Sequence, residues 1–208
     1  MDLIDSYLSE LETVVRNISR DEVRAVVETL FEAWQSRRTV FIIGNGGSAA
    51  TASHMMNDLS KFTAVGDLPR VRSIALTDNV PLMTAVGNDL TFGDIFVEPL
   101  KNLLEPTDIL IAISTSGNSP NVIKAVEYAR SRGAKVVGFC GAPGGRLAQI
   151  ADVKVIIPSG RIGHQEDGHM ILDHVISAAL RERIEQSSTP RARTESRGSE
   201  RTPSETGG

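Results

Sequence analysis

Apolar residues recur at helical spacing over the first 37 positions. Leu3, Ile4, Tyr7, Leu8, Leu11, Val14 and Val15 form one stripe, and Val23, Val26, Val27, Leu30 and Phe31 form a second. The pattern predicts two helices, the second starting near Asp21, which can cap it. The rhythm then changes to short Val- and Ile-rich runs separated by helical stretches. Residues 39–43, 71–76, 109–113, 135–139 and 153–157 read as strands. Between them lie predicted helices at roughly 48–62, 120–132, 145–150 and 165–185, and two short helices within 80–104 around Gly87-Asn88-Asp89. Pro120 suits the first turn of its helix, with Ser119 as its cap and Gly133 as its stop. Apolar strands alternating with helices imply an α/β fold whose parallel sheet is covered on both faces.

Two of the predicted strands end in loops with chemistry. Residues 39–43 run into Gly44-Asn45-Gly46-Gly47-Ser48, and residues 109–113 run into Ser114-Thr115-Ser116-Gly117-Asn118-Ser119. Each loop presents backbone N–H groups and hydroxyls at a helix N-terminus, an arrangement that binds anions and phosphate above all. In a parallel sheet both lie at the carboxyl ends of strands, where such folds bind ligands. Ser, Thr and Asn also serve ordinary capping and turns, and for Ser119 alone capping explains the residue equally well. The six-residue run as a whole favours a ligand. Lys61 and Lys124 could add positive charge, although solvated surface lysines are the plainer reading.

Composition narrows the function. The 208 residues suffice for one domain, read as 1–185, while from Gln186 onward the chain turns to Ser, Thr, Arg, Glu, Gly and Pro, the composition of a disordered tail. A net charge of −4 with no basic face argues against nucleic-acid binding. No apolar run reaches the ~20 residues needed to span a bilayer, and the first residues lack the order of a signal peptide. The cytoplasm is the expected location. The lone cysteine, Cys140, ends an apolar run and reads as a buried thiol.

The four histidines fall in two places: His54 after the first loop, and His164, His169 and His174 at the start of the last predicted helix. Positions four or eight apart share a helix face. His54 with Asp58, and Glu166 with His174, could therefore build an N₂O₂ site for zinc or another divalent metal. A competing register of Gln165, His169 and Asp173 fits the same spacing, and the plainest alternative for His54 and Asp58 is a surface pair.

Together, Gly44-Asn45-Gly46-Gly47-Ser48, His54 with an acid at 58, Val86-Gly87-Asn88-Asp89 and residues 113–119 resemble the sugar isomerase (SIS) domain. More narrowly, over roughly residues 1–185, they resemble the phosphoheptose isomerases, which convert sedoheptulose 7-phosphate to an aldose. The resemblance implies a flavodoxin-like core with an N-terminal helical arm, and a homotetramer with active sites between subunits. It implies that Ser48, Ser114, Thr115, Ser116 and Ser119 hold the substrate phosphate or neighbouring hydroxyls, with Gly46 and Gly47 completing the first loop, and that Asn45 and Asp89 touch the sugar. It implies a zinc ion on His54, Asp58, Glu166 and His174, with Glu166 also near the substrate. Asp58 becomes the catalytic base and His174 the second acid/base. Two positions depart from the family: Asp58 stands where Glu is usual, a side chain shorter by about 1.5 Å, and Glu166 stands where the family has Gln. These departures bear on which sugar phosphate is used. The competing functions are a non-catalytic SIS adaptor for the bacterial replication initiator and a sugar-phosphate sensor. His or carboxylate at all four ligand positions favours the enzyme.

Overall fold

A computed structural model of the chain describes residues 2–188. The tail expected from Gln186 lies almost wholly outside the described residues; the last helix runs through Ser188.

Two amphipathic helices form the N-terminal arm, α1 (Leu3–Asn17) and α2 (Arg20–Gln35). The cap of α2 is Ser19, whose hydroxyl accepts from the Glu22 N–H, and not Asp21, which lies inside the first turn. Then come β1 (Thr39–Gly44), α3 (Gly47–Asn57), β2 (Arg72–Ala75), α4 (Val80–Asp89), α5 (Val97–Leu103) and β3 (Ile109–Ser114). The chain ends with α6 (Pro120–Ser131), β4 (Lys135–Gly141), α7 (Gly145–Ile150), β5 (Val153–Ile157) and α8 (Ile162–Ser188). The two short helices expected within 80–104 are present as α4 and α5, but Gly87-Asn88-Asp89 do not separate them. Those residues complete α4, and the chain leaves the helix at Leu90, where φ −118° and ψ −110° are non-helical. The expected helix over 48–62 holds its α-form through Asn57 and widens into a π-helical turn at Asp58–Phe62.

All five strands are parallel, in the order β2-β1-β3-β4-β5. That is the flavodoxin-like arrangement, and its switch point lies between β1 and β3. Alternate strand residues feed two cores. Val40, Ile42, Ile111, Phe139 and Val155 face α2, α3 and α8, whereas Phe41, Ile43, Leu110, Val136 and Cys140 face α4, α5, α6 and α7. The Cys140 thiol is buried as expected, and burial pushes its pKa up to about 12. The arm is tied to the start of α8, where the Tyr7 hydroxyl donates to Asp167 at 2.6 Å and Arg161 pairs with Glu10 at 3.0 Å. Among the described residues no helix is long and apolar enough to cross a membrane.

Candidate functional site

The switch point brings the two Gly/Ser loops side by side, because β1 and β3 are hydrogen-bonded neighbours. The first turns on Gly46, held at φ 55°, which sets Ser48 in the opening turn of α3 with its side chain largely buried. Gly44 has to be glycine for a different reason. A Cβ there would lie 2.6 Å from the Ser48 carbonyl oxygen and 2.8 Å from its Cβ. In the second loop the Ser114 and Ser119 hydroxyls meet at 3.2 Å, and Gly117 takes φ 63°. Ser119 occupies the cap position of α6 but makes no capping hydrogen bond, so its hydroxyl serves the loop. Thr115 is half-buried and Ser116 exposed, its hydroxyl accepting from the Asn118 N–H.

The two loops are braced against each other. Asn45 Nδ2 donates to Asn121 Oδ1 and Asn121 Nδ2 donates to Asn45 Oδ1, both at 2.9 Å. Asn121 was not among the expected site residues. The signal was available: an Asn in the first turn of a helix, directly behind Pro120, has an amide to place, and here it is buried. The far side of the serine loop is held by α7. The Leu147 N–H donates to the Gly117 carbonyl and the Arg146 N–H to Asn118 Oδ1, both at 2.8 Å. Asp89 lies on the exposed end of α4, where it accepts from Asn88. Lys124 pairs with Asp94 at 2.5 Å, which together with Thr91 holds that carboxyl below its usual range. Lys61 is exposed.

Two turns further along α3 lies a second constellation. His54, Asp58, Asp173 and His174 each offer one ligand atom, and these atoms all lie within 4.8 Å of one another. The Nε2 atoms of His54 and His174 face each other at 3.2 Å, and His54 Nε2 is 3.7 Å from Asp58 Oδ2 and 3.9 Å from Asp173 Oδ2. Two imidazoles and two carboxylates form a donor set suited to a divalent ion. The two nitrogens stand close to the ~3.3 Å that separates ligand atoms in a tetrahedron of 2.0–2.1 Å zinc–nitrogen bonds. Asp173 Oδ2 is buried without a hydrogen-bond partner, as a carboxylate oxygen reserved for a cation would be. Burial, helped by the Asp58 charge, raises the Asp173 pKa to about 6 against the opposing pull of His54, His174 and Ser177.

Three of the four expected metal ligands therefore meet: His54, Asp58 and His174. Glu166 lies elsewhere. Its carboxylate covers Gly47 so closely that a Cβ on that glycine would collide with it. Of the competing register, only Asp173 joins the cluster. Gln165 Nε2 donates to the Ser159 carbonyl at 2.7 Å, and His169 stacks on Phe139 with ring centroids 6.4 Å apart. Neither His169 ring nitrogen makes a well-formed hydrogen bond, and burial lowers its pKa to about 4, opposed by the nearby Cys140 backbone.

The sheet order with its paired loops is the architecture expected of a SIS domain, and the chain belongs to the SIS domain family, whose model matches residues 5–141. Within it the chain belongs with the phosphoheptose isomerases, a family of enzymes. It is 35% identical over 185 residues to the phosphoheptose isomerase of Geotalea daltonii, covering 87% of this chain and 93% of that one. With that of Trichlorobacter lovleyi it shares 39% over 155 residues, 74% of this chain and 78% of the relative. The solved phosphoheptose isomerase of Neisseria gonorrhoeae superimposes with a TM-score of 0.80 at 28% identity, covering 86% of this chain and 97% of the other.

Proposed function

We propose that this chain is a metal-dependent ketose–aldose isomerase of a sugar phosphate, with sedoheptulose 7-phosphate as the first substrate to test. One observation carries the reading: an anion cradle and a His/carboxylate cluster share α3, with Ser48 and Gly47 at its N-terminus and His54 and Asp58 at its other end. Gly47 and His54 are seven residues apart, two helical turns or about 10.5 Å. A seven-carbon sugar carrying its phosphate at one end and its carbonyl at the other has a comparable reach, because six bonds of about 1.5 Å, extended, advance most of that distance before the phosphate is added. The names and similarity of the relatives support the same substrate class.

In this reading Ser48, Ser114, Thr115, Ser116 and Ser119 take the phosphate through hydroxyls and backbone N–H groups, and Gly46 and Gly47 let it approach the helix end. Asn45 and Asp89 line the path of the sugar hydroxyls. Isomerisation moves a proton between C1 and C2 through an enediol, so it needs a base beside the carbons and an acid near the oxygens. Asp58, half-buried beside His54, is the base and His174 handles the hydroxyl proton; a group cannot fully serve as metal ligand and proton carrier at once, so one of the two is free of the metal during turnover. A divalent metal on His54, Asp58 and His174, zinc by donor type, would supply Lewis-acid stabilisation of the developing oxyanion.

The cluster lies on an open face: His54 and His174 are both exposed. Beside it on α8, Val175 is exposed, and a groove of about 530 Å³ lies between the end of α1, α2 and α8, lined mainly by apolar residues such as Val15, Val27 and Val175 together with Arg20, Arg24 and Glu28. Leu3, Ile4 and Leu8 on the arm are more than half exposed. These faces support a homotetramer in which a neighbouring copy closes each site.

The test is an NMR time course of sedoheptulose 7-phosphate with chelator-stripped protein, with and without zinc, alongside Asp58→Asn. A zinc-dependent aldose signal, absent in the folded Asp58→Asn protein, is expected. Equal turnover by that variant would remove Asp58 as the base. No turnover by zinc-loaded protein of any sedoheptulose, hexulose or pentulose phosphate would leave the adaptor or sensor reading.

A further inference from the structure

We infer that Asp173 is the fourth ligand of the metal centre, and that Glu166 belongs to the anion loop instead. The inference rests on the metal-dependent reading above and goes beyond it by reassigning a ligand.

The reasoning starts from how α3 and α8 lie together. Three contacts along their length share one offset of 119 to 120 positions: Gly47 with Glu166, His54 with Asp173 and His174, and Phe62 with Arg181, whose guanidinium stacks over the Phe62 ring at 5.5 Å and donates to its carbonyl. The two segments thus run side by side in constant register. Glu166 is level with the loop that opens α3. Asp173 is level with His54, seven residues or about 10.5 Å further along. The pairing sorts the two acids before any rotamer is chosen.

Asp173 and His174 are neighbours on α8, about 100° apart. Both reach the cluster because α3 lies against the edge between the buried and exposed faces of α8. His174 approaches from the solvent side, and Asp173, fully buried, comes from the core side. The Asp173 carboxylate is aimed by Ser177, whose hydroxyl donates to Oδ1 at 3.3 Å, leaving Oδ2 turned towards His54 with no other partner. A buried carboxylate oxygen in that position is costly unless a cation sits opposite. With Asp58 it gives two negative charges against a divalent ion. If Glu166 were the ligand instead, Asp173 would remain as a third, uncompensated carboxylate at the same spot.

The experiment compares wild type, Asp173→Asn, Asp173→Ser and Glu166→Gln, each stripped with chelator, by zinc titration calorimetry and by melting with and without zinc. Cobalt(II) absorption spectra report the ligand field directly. Wild type and Glu166→Gln are expected to bind zinc within threefold of each other, with matching cobalt spectra. Both Asp173 variants should bind at least about 100-fold more weakly, more than loss of an outer-shell partner causes, and should lose the zinc-dependent rise in Tm. Their metal-free Tm should not fall, because the change removes a buried anion. Asp173 variants that keep wild-type affinity and cobalt spectrum would overturn the assignment, as would loss of affinity in Glu166→Gln alone. Because metal retention is read without turnover, a wild type that binds zinc but isomerises nothing would count against the proposed reaction and leave this assignment standing.

Discussion

The amide pair between Asn45 and Asn121 allows a quantitative test of how the two loops are held together. Truncating Asn121 to Ala removes two hydrogen bonds of 2.9 Å and the 3.0 Å bond from the Val122 N–H to Asn121 Oδ1. At a net of about 1 kcal/mol for each intramolecular hydrogen bond, the variant should lose about 3 kcal/mol of stability. Asn45 is only half-buried, so water can take over its freed amide, whereas the buried Val122 N–H is left without its partner, which adds about 1–2 kcal/mol. Asn45→Ala loses the same two bonds but strands the buried Asn121 amide, for a loss of about 2–3 kcal/mol. In the double variant the shared pair is lost once. The single losses should therefore exceed the double by about 2 kcal/mol, well above the ~0.5 kcal/mol scatter of independent sites. Urea unfolding followed by circular dichroism on all four proteins closes the cycle. A coupling below about 0.5 kcal/mol would refute the brace and leave two separate polar residues. If these loops hold the phosphate as proposed, Asn121→Ala, which loosens the brace between them, should raise KM for the sugar phosphate more than it lowers kcat.

Three further outcomes are expected. Gly44→Ala forces a Cβ into the backbone of Ser48, so the first loop must shift. The variant should be destabilised by about 1–3 kcal/mol and its KM should rise at least tenfold; an unchanged KM would mean that Ser48 does not bind the substrate. His169 has a folded pKa of about 4, below the ordinary 6.5. Its contribution to stability is complete above pH 6.5 and is lost as pH falls towards 4, by about 3 kcal/mol in all. Wild type measured against His169→Gln isolates that slope, because the opposite contribution of Asp173 cancels in the difference; parallel stability curves from pH 7 to 4 would refute it. Cys140, with its thiol pKa raised to about 12, should react with a disulfide reagent only as fast as the protein unfolds; prompt labelling of native protein would show an accessible thiol.

Much of this was legible in the sequence, and the misses have physical causes. The buried strands show because they are short apolar runs rich in Val and Ile bounded by polar turns, and α7 shows although it is only six residues long. The cap of α2 was misplaced by two positions because Ser19 and Asp21 both carry capping side chains, and only the backbone dihedral decides between them. His54, Asp58 and His174 could be grouped from periodicity, since each pair shares a face. Asp173 could not be grouped with them. Neighbours on a helix point 100° apart, and the rule that pairs positions four or eight apart separates 173 from 174. Only the lateral placement of α3 against α8, a tertiary fact, lets both side chains reach one point. The Asn45–Asn121 pair is likewise invisible along the chain, because it needs β1 and β3 to be neighbours although β2 lies between them in sequence.

The hold of α7 on the serine loop has one more consequence. The first N–H groups of a helix are its free hydrogen-bonding capacity, and α7 gives two of them, on Arg146 and Leu147, to the loop next door. Gly117 and Gly144 also press backbone to backbone, leaving no room for a Cβ on Gly117. The serine loop is therefore a finished mould before any anion arrives, and little ordering entropy is left to pay on binding. If the loop binds the substrate's anion as proposed, selection on that affinity would reach residues 144–147, which need never touch the ligand.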